Sequence, residues 1–440
     1  MRNDIICRIG AGAGFAGDRI DPAVALAASG QVDTVALECL AARTLLPALK
    51  ARAADSNAGF DARLKRRLTP LLPVAHAAGC RIVSNLGQAN PRAAGRAIAR
   101  LAAELGCAGL KVAAVHGDDV MDRREHIAWE KSIEGGLIGA HAYIGAAVLS
   151  QALEEGAGVV VAGRVADSAL FAAPALRRLD GSAHALAGAT AVGHLLECSG
   201  QLSGGNFAPA GGAMLSAQDY ARLGFPLADM RADGTAEIRL LDGAHGILTP
   251  ETATLQLLYE VHDPSRYITP DVVLDFSGVR FESTGHNRIR MSGVRGCGAP
   301  ETLKVAGIME LPGWIADCEI GFAGTGALDR ARRAAETLRL RLVDWTDDDV
   351  AIDLVGVDSI LRAGSPAMTA APPEVRVHVS ARCADAEAAQ VVEDEIYAMT
   401  LSGPAGGCSV RSERRPRIEV VDGYILASLV QPRIEWSQAS

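Results

Sequence analysis

The nine cysteines form no Cys-x-x-Cys pair, so the spacing that marks a structural zinc site or a dithiol redox motif is missing. They are scattered, several in apolar runs such as those around Cys7 and Cys39. That is the pattern of reduced, buried thiols in a cytosolic protein rather than of a disulfide framework. No H-E-x-x-H, G-x-S-x-G, Walker A or EF-hand pattern occurs, which removes the motif-borne metal, serine-nucleophile and P-loop chemistries. A basic excess is also lacking: 43 Lys and Arg face 52 Asp and Glu, for a net charge of −9. This balance argues against nucleic acid or an anionic membrane as partner.

No repeat of fixed period and no low-complexity segment is present. The residues after Met1 enter an apolar run almost at once, so no signal peptide is visible and a cytoplasmic location is expected. One stretch without a charged residue, Gly135–Leu153, has 19 positions, a length that could span a bilayer. Four glycines, His141, Ser150 and Gln151 interrupt it, and it reads as a loop followed by a buried helix rather than as a membrane span.

What is present is a chain of 440 residues with 49% hydrophobic and 22% charged content, ordinary for a folded enzyme of two or three domains. Up to about residue 180, short apolar strands (Ile5–Ile9, Thr34–Glu38, Arg81–Asn85, Leu110–His116, Gly158–Gly163) alternate with alanine-rich helical stretches. Alternation of this kind predicts right-handed βαβ units and a mostly parallel sheet with flanking helices. From Ala236 the texture becomes more β-rich, and the last third reads as β-α-β…β-α-β, a ferredoxin-like mixed α+β layer. The segments expected are therefore 1–235, a parallel α/β domain carrying the site; 236–316, a β-rich connection; and 317–440, the ferredoxin-like part.

The first strand feeds Gly10-Ala11-Gly12-Ala13-Gly14-Phe15-Ala16-Gly17-Asp18-Arg19. Gly12, Gly14 and Gly17 fit the dinucleotide pattern G-x-G-x-x-G, and Glu38 stands where a ribose-binding acid would. Yet Asp21-Pro22 marks the helix start as an N-cap and first-turn proline, too late for a helix opening on a pyrophosphate. The glycines then belong to a longer loop at a strand's carboxyl end, where open α/β folds place ligands.

If the five strands are parallel, one edge collects Asp18 and Arg19, then Glu38, then Asn85 and Asn90, then His116, Asp118 and Asp119, then Arg164 and Asp167. Asp18 or Glu38 suits a general acid or base and His116 a second proton carrier. Arg164 suits a carboxylate or phosphate anchor, while Asn85 and Asn90 suit polarisation of a carbonyl. Asp118 and Asp119 offer oxygen ligands for Mg²⁺ or an orienting acid for His116. Cys198, one helical turn from His194 and next to Glu197, reads as structural, because the negative end of a helix disfavours a thiolate.

Several motifs together resemble the acyclic terpene utilisation (AtuA-like) family. They are Gly14-Phe15-Ala16-Gly17-Asp18-Arg19, Ser84-Asn85-Leu86-Gly87-Gln88-Ala89-Asn90-Pro91, Gly163-Arg164-Val165-Ala166-Asp167, Glu197-Cys198-Ser199-Gly200-Gln201, Gln256-Leu257-Leu258-Tyr259-Glu260 and Thr269-Pro270-Asp271-Val272. The chain departs from that pattern at Ala16, where serine is common, and at His262, where glycine is. The resemblance implies a catabolic protein acting on branched, terpene-derived carboxylic acids or their CoA thioesters. It also implies a small C-terminal module, here absent or supplied by a second subunit.

The reading is an enzyme that moves protons on a branched or hydroxylated carboxylate or acyl-CoA, as a hydratase, dehydratase or C–C lyase. Arg19, Asn85, Asn90, Arg164, Asp167, Gln201 and Asn206 would bind substrate, CoA would come as part of it, and a homo-oligomer is expected. The alternatives are an ATP- or dinucleotide-dependent enzyme using the glycine loop, and a non-catalytic subunit completed by a small partner chain.

Overall fold

The glycine-rich start of the chain is a strand before it is a loop. Ile5–Ala13 is extended throughout, four residues beyond the apolar run, and so contains Gly10 and Gly12. A side chain at Gly12 would lie 2.4 Å from Leu37 and 2.5 Å from Val35, and one at Gly10 3.1 Å from Leu26. Glycine there permits close packing of the neighbouring strand and helix. Pairing with Thr34–Leu37 slips between Ala11 and Ala13, a bulge that bends the chain into the loop.

The computed structural model describes residues 4–133, 136–212, 214–343, 350–361 and 371–440. The chain divides into a larger unit (Met1–Ser132, Ile138–Ile308 and Val420–Ser440) and a smaller one (Ile133–Leu137 and Met309–Glu419). The larger unit is built on a ten-stranded mixed sheet. At its centre Ile5–Ala13, Thr34–Leu37, Arg81–Ser84, Val159–Ala162 and Lys111–His116 are successive parallel neighbours. Antiparallel strands extend both sides: Leu227–Arg231 pairs with the first strand, Ala236–Arg239 and Arg288–Ser292 follow it, and Arg433–Gln438 pairs with Lys111–His116. Residues 236–308 thus group with the larger unit, because hydrogen-bonded pairing and not sequence texture sets the boundary.

The strand order decides where a ligand can sit. The chain steps across the sheet through its first three parallel strands, skips one place to Lys111–His116, then returns to insert Val159–Ala162 between the third and fourth. With right-handed crossovers, that reversal sends the helices on either side of it to opposite faces. That reversal falls at the carboxyl ends of Arg81–Ser84 and Val159–Ala162, the position where doubly wound folds bind ligands.

Helices begin where the sequence marks them. Asn90 caps Pro91–Glu104 by accepting from the Ala93 amide, and Thr249 caps Pro250–Leu258. The helix after the glycine loop is Asp21–Ala28, but Asp21 does not cap it; its carboxylate pairs with Arg19 instead. Ala183–Glu197 starts seven residues before its expected Thr190. In the long uncharged stretch, Gly136–Ala142 is a strand rather than a loop, followed by the helix Ala147–Glu154; Gly135 lies outside the described residues. Among the described residues no helix is long and apolar enough to cross a membrane. All nine cysteines are free.

In the smaller unit, strand Val350–Val355 pairs with Glu374–Cys383, which pairs with residues 314–323 of Thr302–Ala323, and Cys408–Leu426 follows in the sheet. Both of these pairings are antiparallel. Phe322, Leu338, Val377, Ile396 and Met399 pack its core with helices Ala327–Arg341 and Ala386–Ser402.

Candidate functional site

Glu38 ends the second parallel strand and is buried, 8% exposed. Its Oε1 accepts from the Leu40 amide at 2.7 Å and from Asn85 Nδ2 at 3.0 Å. Asn85, at the end of the third strand, uses its own Oδ1 to accept from the Cys39 amide at 2.6 Å. Both donors thus converge on one carboxylate oxygen, and the other is left for a proton or a ligand. Burial, reinforced by the charge of Asp167 and opposed by Arg164, pushes the Glu38 carboxyl up to about 8. At neutral pH the group is a protonated acid.

Arg164, at the end of the fifth strand, is fully buried and largely occupied. Nη1 donates to Leu40 O at 2.6 Å, Nε and Nη2 to Val165 O at 3.1 and 2.9 Å, and Nη2 also to Asp167. Its carbon lies 4.4 Å above the Tyr143 ring, a cation–π contact. This fork, expected as an anchor for substrate, instead ties three chain segments together and aims Asp167. The Arg164 amide donates to Asp118 Oδ2 at 2.8 Å.

Further acids reach the same place from helix ends. His194 Nδ1 lies 2.7 Å from Glu197 Oε1 and Nε2 lies 3.2 Å from Leu257 O. Burial opposes a charged ring, but Glu197 and the two acceptors outweigh it and raise the His194 pKa. Acceptors beside both nitrogens favour the charged ring. Burial raises Glu197, which His194 lowers and Asp167 and Glu260 raise; Asp167 is raised by desolvation and by Glu260, against Arg164. Glu260 holds a left-handed backbone, φ +58°, costing roughly 1–2 kcal/mol for a non-glycine residue and typical of functional loops. Glu38, Asp167, Glu197 and Glu260 form one electrostatic cluster. Gly14 touches it as well: a Cβ there would lie 2.7 Å from the Cys198 backbone and 2.9 Å from Glu197 O.

The remaining sequence candidates lie elsewhere. His116 and Asn90 line a cavity of about 760 Å³ with Arg52, Arg92, Arg96, Asp118 and Asp119. Burial and then Arg92 lower the His116 pKa, so it is a neutral ring there. Asn90 spends its side chain on the Ala93 amide and on Ser56 O and Ala58 O. Asp118 does not orient His116; it pairs with the buried His141 at 2.9 Å. Asp119 pairs with Arg52 at 3.1 Å. Among the described residues no group of three or more His, Cys, Asp or Glu is placed to hold a metal ion. Gln201 is half-buried in the turn Ser199–Gln201, and Asn206 is exposed at φ +55°.

Asp18 and Arg19 hold the loop. Asp18 Oδ2 accepts from the Gly14 amide and Oδ1 from the Arg19 amide, both at 2.8 Å; Arg19 bonds Asp21 and Leu223 O. Gly12 is filled against strand side chains, Gly14 against Glu197 and Cys198, and Gly17 against the Phe15 ring at 2.8 Å, so each glycine's missing side chain makes room for the protein's own atoms rather than for a pyrophosphate. Asp18→Asn replaces an acceptor by an amide facing an N–H. The expected cost is ~1–2 kcal/mol of stability with turnover within about threefold, read from the urea midpoint and initial rate. A ~10²-fold loss of turnover at an unchanged midpoint would return Asp18 to acid–base catalysis.

Burial and Glu197 push the Cys198 thiol up to about 12, so it carries no thiolate at neutral pH. Cys198→Ala should retain most turnover; loss of several orders of magnitude in a folded variant would reverse that reading.

Sequence reasoning passed over Glu197 and Glu260 as actors, although both stand inside the motifs that carry the family resemblance. It also passed over His141, which no local pattern links to Asp118. The family model for the acyclic terpene utilisation family protein AtuA matches residues 7–436. Nothing among curated proteins and nothing among solved structures matches.

Proposed function

The chain belongs to the acyclic terpene utilisation (AtuA) family, and from that premise we propose that it is a catabolic enzyme moving a proton on a branched acyl thioester, with Glu38 as the general acid. The observation that carries this reading is Glu38 itself: a carboxyl held near pKa 8 at a strand end, with one oxygen fixed by two donors. A general acid works best with a pKa near the operating pH. Asn85 and Arg164 act as positioning residues, through Glu38 and Asp167 respectively.

Charge favours the thioester over a free carboxylate. With Glu38 protonated, three acids of the cluster remain against two cations, and both cations are already spent, His194 on Glu197 and Arg164 on Asp167 and carbonyls. An incoming carboxylate meets like charge, whereas a neutral thioester carbonyl can accept the Glu38 proton as negative charge develops on its oxygen. A hydration, dehydration or carbon–carbon cleavage next to that carbonyl shares this requirement. The segments bearing Gly14 and Glu260 also expose Phe15, Leu258 and Tyr259, which suits an apolar chain.

The test is exchange of deuterium from solvent into the carbon beside the carbonyl, followed by mass spectrometry over a panel of branched enoyl- and 3-hydroxyacyl thioesters. Exchange in the wild type and not in Glu38→Gln is expected. A folded protein that neither exchanges nor turns over any thioester or hydroxy acid in the panel would end this reading.

A further inference from the structure

Beside the glycine loop lies a cavity of about 380 Å³ with four arginines among its nine lining residues. Arg19, Arg63, Arg66 and Arg67 line it, with Asp18 and Asp21 the acids among the lining residues. Both acids are committed, Asp18 to two backbone amides and Asp21 to Arg19. Arg67 is 2% exposed and donates to Ala16 O, Asp18 O and Arg19 O. Its Nε is nonetheless buried with no partner, an unusual state for a charged donor. Arg63 and Arg66 are exposed, and among the described residues neither has an acidic side chain in salt-bridge contact. Asp61 accepts from the Arg63 amide and from Gln88, and its carboxyl also interacts electrostatically with Arg63 and Arg67.

The placement in the helix sharpens the point. Arg63 immediately precedes Leu64–Ala78, and Lys65, Arg66 and Arg67 fall in its first turn, which has no acid and no side-chain cap. A helix N-terminus carries positive potential and prefers anions. Here cations stand where carboxylates are the rule, and a bound anion would relieve both.

We propose that this cavity binds a phosphate or pyrophosphate group of the protein's ligand, gripped by Arg63 and Arg66, with Arg67 holding the Ala16–Arg19 wall by its carbonyls. Guanidinium forks match phosphate oxygens in pairs. The anion sits against Ala16–Arg19, in the loop whose Gly14 packs on Glu197 and Cys198. The binding itself does not rest on the chemistry assigned to Glu38.

Titration calorimetry on the full chain with pyrophosphate, with CoA and with CoA lacking its 3′-phosphate tests this. Wild-type protein should bind at least one of them, and Arg66→Gln and Arg63→Gln should each weaken it by roughly tenfold or more, the loss of a charge-assisted contact. Lys65→Gln removes the same charge one residue away from a side chain paired with Glu104, and should leave affinity nearly unchanged. Binding of pyrophosphate alone would identify a free anion as the source; tighter binding of CoA would identify a phosphorylated carrier, and a difference between the two CoA forms would place the 3′-phosphate in the cavity. No binding of any of the three, or an equal loss in Lys65→Gln, would overturn the proposal. Glu38→Gln should bind normally, so failure here and failure of the proton-transfer reading are separate results.

Discussion

Glu38→Gln should fold, bind ligand and turn over roughly 10²–10⁴-fold more slowly, the range for removing a general acid. Glutamine keeps the oxygen that accepts from Leu40 and Asn85, so the loop geometry is retained while the transferable proton is lost. The pH profile gives a second reading. An acid with a pKa of about 8 is protonated below that value, so this limb of the wild-type rate should be flat under pH 8 and fall above it. Stability follows the same group. Its folded pKa lies above the ordinary 4.5, so the native state holds a proton that the unfolded chain releases. Stability from this source is full below about pH 4.5 and is lost as pH rises toward 8, by ~3–5 kcal/mol at roughly 1.4 kcal/mol per unit. In Glu38→Gln that slope should vanish. A variant with unchanged turnover, or a wild type with no falling limb near pH 8, would remove Glu38 from the chemistry.

Arg164→Leu is expected to be the most destabilising single change at the site. It leaves Leu40 O and Val165 O without their donor and Asp167 without its cation. Removing one member of a buried charged network costs ~3–5 kcal/mol, which for a unit of this size lowers Tm on the order of 10 °C. Turnover should also fall, because Leu40 supplies the amide that fixes Glu38. Arg164→Lys should recover part of the charge but little of the geometry, since an ammonium cannot span two carbonyls and a carboxylate as the planar fork does. Thermal melts of the three proteins decide the matter; a Tm for Arg164→Leu within about 2 °C of wild type would show that the fork is dispensable.

Much of the larger unit was legible because its signals are local. Buried parallel strands read as short apolar runs and helix starts as Asn-Pro and Thr-Pro pairs, so Pro91–Glu104 and Pro250–Leu258 begin where the sequence marks them. Other elements escaped local reading. Leu227–Arg231 lies in a glycine- and alanine-rich region and is a strand because the first strand offers it an edge. Thr302–Ala323 contains Pro312 and Gly313, which ordinarily argue for a break, yet the strand continues past them, with Gly313 at φ +93°. Val272–Phe281 reads in the sequence as one strand, but a turn from Phe276 to Val279 divides it into Val273–Asp275 and Arg280–Gly285, which pair in different sheets.

By itself the sequence determined the residue types at each strand end and the glycines that let neighbouring chain segments close in, because composition, caps and period are properties of neighbours in the chain. It also determined the family, since the ordered motifs are a property of the chain as a whole. Only the tertiary structure decided which of those residues meet. The order in which strands pair put Glu38, Asn85 and Arg164 at neighbouring strand ends and left His116 and Asn90 at a separate cavity. Two helix ends more than 150 residues downstream of Glu38 brought in Glu197 and Glu260. Proton affinity followed from that assembly: a carboxylate's pKa depends on the water it loses and the charges it gains, and both depend on groups that no local pattern places beside it.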